Sequence, residues 1–159
     1  MENISSHLLF SNKLQQLTYD LGRYSALCDR VCTERLNITG SQGYTLLAIP
    51  EGDSISVNDL SLKMKLASST MTRMVDQLVQ CGLVERQPDA EDRRIVRVRL
   101  TEQGGPARTL LHSSLQGFFS QVLQAVPEGE RETMLRSLET LNQAIMVTLK
   151  SCCGQDQNL

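Results

Sequence analysis

Five of the six residues from Ser68 to Arg73 carry a short hydroxyl or a guanidinium: Ser68, Ser69, Thr70, Thr72 and Arg73. Short hydroxyls allow close approach and bond to phosphates or base edges. A guanidinium can fork onto O6 and N7 of guanine. Twenty residues on, Arg93 and Arg94 stand together in the polar run Pro88–Asp89–Ala90–Glu91–Asp92–Arg93–Arg94. A narrow minor groove concentrates negative potential and favours an inserted Arg. Lys63 and Lys65 add cations suited to phosphate. The chemistry on offer is recognition of a nucleic acid. Blander readings compete: Ser68 as a helix cap, Thr70 as a solvated residue, Lys63 and Lys65 as solubilising charges, and the arginine run as surface pairs of little value.

Charge distribution favours the first reading. The chain carries a formal −2, so it is not basic throughout. Between Lys63 and Arg99, however, eight basic residues face five acidic ones, a local +3 against −5 for the remainder. A basic patch on an acidic body attracts phosphate and disfavours loose adhesion. Catalysis lacks its parts. There is no phosphate loop, no nucleophile elbow and no cluster of His and carboxylates. His7 and His112 are isolated. The five cysteines have no metal-type spacing, so no cofactor or metal is expected and the thiols should be free. No leader pattern and no apolar run long enough for a membrane span is evident, which predicts a cytoplasmic protein.

Those side chains must be held by a scaffold, and the apolar spacing describes one. Leu14, Leu17, Leu21, Tyr24, Cys28 and Val31 recur at helical steps and predict a long helix over 8–35. A second helix is expected over 41–49, before the turn at Pro50, Gly52 and Asp53. Ser56 with Asp59 reads as a capping box for a short helix over 57–64. The next helix opens at Ala67 or Ser68, turns Met71, Met74, Val75, Leu78 and Val79 inward, and stops at Gly82. The period then changes from helix to strand. Leu83–Gln87 and Ile95–Leu100 predict a hairpin, with Arg97 and Arg99 alternating outward. Thr101 can cap a helix reaching about Ala125. Beyond Pro127 a last helix carries Met134, Leu135, Leu138, Leu141, Ile145 and Leu149 on one face. The predicted fold is mainly α with a small β-hairpin wing: a winged helix-turn-helix lobe over 36–101, a helical dimerisation region over 1–35 and 102–150, and a flexible tail over 151–159.

Four segments in order, Thr72–Leu78, Gly82–Arg86, Asp89–Arg94 and Leu100–Gly104, resemble the recognition helix, wing and wing exit of the MarR family of regulators. Leu36–Asn37–Ile38–Thr39 with Gln42 resembles the start of that family's second helix. The match covers about residues 36–104, and its combined signal is specific. Gly104–Gly105–Pro106 departs from the usual bulky residue after the wing-exit glycine and leaves the start of the fifth helix open. The resemblance implies a triangular homodimer on a palindromic operator in duplex DNA, usually a repressor released by a small molecule or an oxidant. It also implies that one wing Arg enters the minor groove while Asp92 braces the wing by pairing with an Arg.

Two triggers remain open. An anionic or aromatic effector would find Tyr19, Arg23, Tyr24 and Tyr44 in a crevice beside the dimer helices, although the tyrosines serve equally well as core or interface residues. A thiol sensor would use Cys32 or Cys81, since Cys28 belongs to the apolar stripe. A winged helix used only to bind other proteins is a third possibility, but it would need neither the basic wing tip nor the hydroxyl-rich helix.

Overall fold

The computed structural model describes the backbone from Glu2 to Cys153 and the side chains from Ser6 to Cys152. Helix α1 (Glu2–Thr33) ends in a 3-10 turn over Glu34–Leu36, where Asn37 takes a left-handed conformation at φ 52°. Thr39 and Gln42 then cap α2 (Gly40–Ala48) reciprocally. Gln42 N donates to Thr39 Oγ1 at 3.3 Å, and Thr39 N donates to Gln42 Oε1 at 2.8 Å. The cap satisfies two amide donors that a helix start leaves orphaned. Strand β1 (Ser54–Ser56) leads into α3 (Val57–Met64), whose first turn Ser56 caps by accepting from Asp59 N at 3.0 Å.

Helix α4 (Ser68–Gln80) is preceded by Ala67 in the capping position, so Ser68 is the first helical residue and not the cap. Met71, Val75 and Leu78, at steps of four and three, are fully buried. Met74 is half-buried. Val79, expected inward, is 38% exposed because it lies on the flank of that stripe. Gly82 ends the helix at φ 70°, a conformation that costs a side chain roughly 1 kcal/mol or more. Strands β2 (Val84–Pro88) and β3 (Val96–Leu100) form the wing.

The sheet has three strands in the order β1-β3-β2, all antiparallel. Val98 sits at its centre, opposite Ile55 and Arg86, with no exposure. The sequence reading lacked β1. Three residues are too few for alternation to register, and only pairing with β3 makes them a strand. Leu46, Ile49, Leu60, Met71, Val75, Leu78, Val84 and Val98 fill one core inside this lobe. Full burial of each Leu or Ile contributes about 1.5–3 kcal/mol.

Helices α5 (Gly104–Ala125) and α6 (Glu128–Cys153) complete the described chain. The start of α5 docks on the lobe through Gly104, Ala107 and Leu111, which share one buried face. Thr101 supplies the oxygen for its first turn. Its hydroxyl accepts from Gly104 N at 3.0 Å and donates to the Gly82 carbonyl at 2.6 Å. Beyond residue 115 the apolar residues of α5 face outward, Phe118 and Phe119 among them. No described residue of α6 is buried. Leu135, Leu138, Ile145 and Leu149 are 38–51% exposed, as Leu14, Leu17 and Leu21 of α1 are 48–53% exposed. Helix α6 runs through Cys153, three residues into the segment expected as tail; residues 154–159 of that segment lie outside the described residues.

Candidate nucleic-acid interface

The exposed face of α4 begins at its N-terminus. Ser68, Ser69, Thr70, Thr72 and Arg73 are all exposed there, while Met71 between them anchors the helix. The free amides of the first turn add partial positive charge at the same end. Thr72 Oγ1 donates back to the Ser68 carbonyl at 2.8 Å, which fixes its rotamer and leaves its lone pairs outward. Helix α4 is fastened at two further points. Gln42 Nε2 donates to Gln77 Oε1 at 3.1 Å from α2. Arg86 on β2 donates to Asp76 Oδ1 at 2.6 Å and to the Thr72 carbonyl at 3.3 Å.

The wing tip divides its cations by task. Arg97 is consumed by the fold: Nε donates to Ser54 Oγ at 2.7 Å, Nη2 to the Ser54 carbonyl at 2.5 Å, and Nη1 to Asp89 Oδ2 at 3.2 Å. Asp89 Oδ1 also accepts from the backbone N–H groups of Glu91 and Asp92. These two bonds, with the Arg97 guanidinium, hold its carboxyl below the usual carboxylate range. The wing's bracing ion pair is therefore Asp89–Arg97 and not, as expected, one made by Asp92. Asp92 instead accepts from Arg94 N at 2.9 Å, a local turn bond. Arg99, expected to point outward, is exposed and pairs with Glu85 across the hairpin. Arg93 and Arg94 are exposed, and neither guanidinium has a hydrogen-bond partner among the described residues. A cleft of about 360 Å³ separates the wing from the start of α3, lined by Asn58, Thr72, Arg86 and Arg94.

The two lysines stand apart from this face. Lys63 Nζ donates to the Ala48 carbonyl at 2.8 Å, where a cation suits the carbonyl end of α2. Lys65 is exposed in a left-handed backbone at φ 53°, and its Nζ lies 3.8 Å from Met146 Sδ on α6. Arg86, Asp89 and Arg97 were missed as contributors. Their partners lie on other elements, so no periodic signal marks them.

The expected effector residues are dispersed. Tyr24 alone of the four lines a cavity of about 900 Å³ between α1 and α5, together with Cys28, Val31, Cys32, Arg35 and Phe118. Tyr19 lines a separate hollow beside Leu141 and Ile145 of α6. Arg23 stacks over Tyr24 at 5.3 Å and reaches Asp20 at 4.0 Å. Tyr44 donates to Asp29 Oδ1 at 2.8 Å and so joins α2 to α1. Burial and that bond push the Tyr44 hydroxyl up to about 12. Of the thiols, Cys28 is buried, Cys32 half-buried and Cys81 exposed. Burial, then the neighbouring Cys32, pushes Cys28 up to about 11. Among the described residues no three His, Cys, Asp or Glu side chains cluster as metal ligands.

Comparison with known proteins identifies the family and the fold. The model of the MarR family matches residues 38–96. The organic hydroperoxide resistance transcriptional regulator of Bacillus subtilis is 34% identical over 104 residues, covering 65% of this chain and 71% of its own. An uncharacterised HTH-type transcriptional regulator of the same organism is 40% identical over the same length, with the same coverage. A mutant of MarR from E. coli, complexed with operator DNA, superposes with a TM-score of 0.71 at 25% identity, covering 81% of this chain and 93% of that one. A MarR transcriptional regulator from Methanosarcina mazei gives 0.72 at 25% identity, covering 86% and 99%. The chain belongs to the MarR family and is a DNA-binding transcription regulator with a winged helix, not an enzyme.

Proposed function

We propose that this regulator is a cytoplasmic repressor that binds a palindromic operator as a homodimer and is released by a small effector. One observation carries the reading: the exposed N-terminal end of α4 and the unengaged guanidiniums of Arg93 and Arg94 lie on one lobe, while every other wing arginine is held by the fold. Ser68, Ser69, Thr70, Thr72 and Arg73 read the major groove, and Arg93 or Arg94 enters the minor groove. Lys65 remains available for phosphate, whereas Lys63 would first have to leave Ala48. The lobe over 36–101 binds DNA. The helices over 1–35 and 102–150 pair across a two-fold axis, which would cover the apolar faces that α1, α5 and α6 leave open. An aromatic or anionic effector fits the cavity between α1 and α5, with Tyr24 and Arg35 as contacts. No described helix is long and apolar enough to cross a membrane.

Sedimentation and selection of bound duplexes test this together. The expected result is twice the chain mass at micromolar concentration and recovery of an inverted repeat with half-sites about 34–36 Å apart. A monomer that binds single half-sites would remove the dimer. Absence of any selected motif would remove the operator.

A thiol trigger is the second reading, favoured by Cys28 and Cys32 lying side by side in that cavity and by the relative concerned with organic hydroperoxide resistance. Peroxide would then release DNA from the wild type but not from Cys32→Ser. Release from both, with loss only in Cys81→Ser, would move the sensor to the end of α4.

A further inference from the structure

Cys28 and Cys32 are one helical turn apart on α1, and their sulfurs are 3.9 Å from one another. Residues at i and i+4 share a helix face, and this face opens into the 900 Å³ cavity between α1 and α5. A soft atom joined to two thiolate sulfurs by bonds of about 2.3 Å spans roughly 3.3–3.8 Å between them, the lower figure for a pyramidal trivalent centre and the upper for a tetrahedral one. At 3.9 Å the pair is close to the bite of a two-point chelate, and a small rotation of the cysteine side chains closes it without a change of helix geometry.

The rest of the cavity decides what the chelated atom can be. Zinc in proteins takes at least three side-chain ligands, and no third Cys, His, Asp or Glu joins the pair in such a cluster among the described residues. A centre that needs two sulfurs and carries its own third substituent fits instead. Tyr24, Leu27, Val31 and Phe118 line the space in front of the sulfurs, and they would hold an apolar or aromatic substituent. We propose that Cys28 and Cys32 form a dithiol site for monosubstituted trivalent arsenicals, with the organic group seated in the cavity between α1 and α5.

The step balances without an oxidant. Each thiol gives its proton to one hydroxyl of the hydrated arsenical, each As–O bond is replaced by an As–S bond, and two waters leave. Arsenic stays trivalent and both sulfurs stay reduced.

Phenylarsine oxide is the probe. One equivalent added to the reduced full chain is expected to remove two titratable thiols and to add one phenylarsenic group. Trypsin cuts after Arg23, Arg30 and Arg35, so the bridge would hold peptides 24–30 and 31–35 together through arsenic. The adduct should resist excess glutathione, a monothiol, and be stripped by 1,2-ethanedithiol. Cys32→Ala, with an unchanged helical circular dichroism spectrum, should bind at least tenfold more weakly. If that variant does not fold, the joined peptides of the unaltered chain decide the matter. An adduct confined to the peptide bearing Cys152 and Cys153, or one readily removed by glutathione, overturns the proposal. Neither result depends on DNA binding, so the site can fail while the operator reading stands.

Discussion

Arg86 on β2 donates to Asp76 at 2.6 Å and, with its second amine, to the carbonyl of Thr72 at 3.3 Å. One side chain thereby locks the wing's first strand to the helix that carries the exposed hydroxyls. Both partners of the ion pair are more than a third exposed, so the pair itself contributes little stability, about 1 kcal/mol or less. Its value lies in fixing the angle between helix and wing. Arg86→Ala is expected to leave urea unfolding nearly unchanged and to weaken operator binding about tenfold, on the order of 1.4 kcal/mol. A mobility shift alongside a melt separates the two effects. Equal loss in both would make Arg86 merely structural.

The wing cations should show the same separation of folding from binding, with a larger loss of binding. The guanidiniums of Arg93 and Arg94 are exposed and bonded to nothing described, so removing these side chains takes nothing from the fold. Arg93→Ala with Arg94→Ala is expected to weaken operator binding by about 2–4 kcal/mol and to flatten its salt dependence. Unchanged affinity in an intact protein would show that the wing is not used.

Arg97 should behave differently from both. Its guanidinium braces Asp89 and β1, so Arg97→Ala should loosen the tip and lower DNA affinity several-fold through order, not lost contact. The same brace titrates. Asp89 is held below the ordinary carboxylate value of about 3.9 by the Glu91 and Asp92 amides and by Arg97. A lowered value stabilises the fold above that pH and is lost as pH falls through the folded value. Carboxyl titration by NMR should place Asp89 below the ordinary carboxylate value, and Arg97→Ala should move it back toward that value. Asp89→Ala should abolish the order of the tip at neutral pH.

Gly104 makes the sharpest stability prediction. A Cβ built there would sit 1.8 Å from the Leu83 carbonyl oxygen. Backbone on both sides leaves no flexible group to give way. Gly104→Ala should cost more than about 3 kcal/mol or prevent folding, whereas Gly105→Ala, which meets nothing within 4 Å, should be tolerated. Comparable thermal melts for the two variants would contradict the close approach of α5 to the lobe.

Alkaline pH probes the junction of α1 and α2. Cys28 rises from 9.0 to about 11 and Tyr44 from 10.0 to about 12, so the fold favours both neutral forms. That contribution is complete below pH 9 and is lost as pH climbs toward 11 and 12. Tyr44→Phe removes the bond to Asp29 and should be less stable than the wild type at pH 7. The gap should narrow above pH 10, as followed by denaturant melts at each pH.

Local rules determined much of this protein from its sequence alone. The 3.6-residue stripe of α4, the Ser56–Asp59 cap, the left-handed stop at Gly82 and the switch to strand alternation are all readable within a dozen residues, because propensity, capping and periodicity act over that range. So were the hydroxyl-rich start of α4 and the Arg93–Arg94 pair, since exposed side chains keep the chemistry of their type. What needed tertiary structure was every decision made between distant elements. Strand β1 exists only because β3 pairs with it. Lys63 and Arg97 could not be told from Arg93 and Arg94 by composition; the Ala48 carbonyl, Ser54 and Asp89 engage the first two and leave the others free. The bracing acid proved to be Asp89 and not Asp92, because Arg97 reaches it from across the hairpin. Tyr19, Tyr24 and Tyr44 looked alike in sequence, yet helix packing sends them to different hollows. A side chain's partner depends on where other segments place their atoms, and that information is not local.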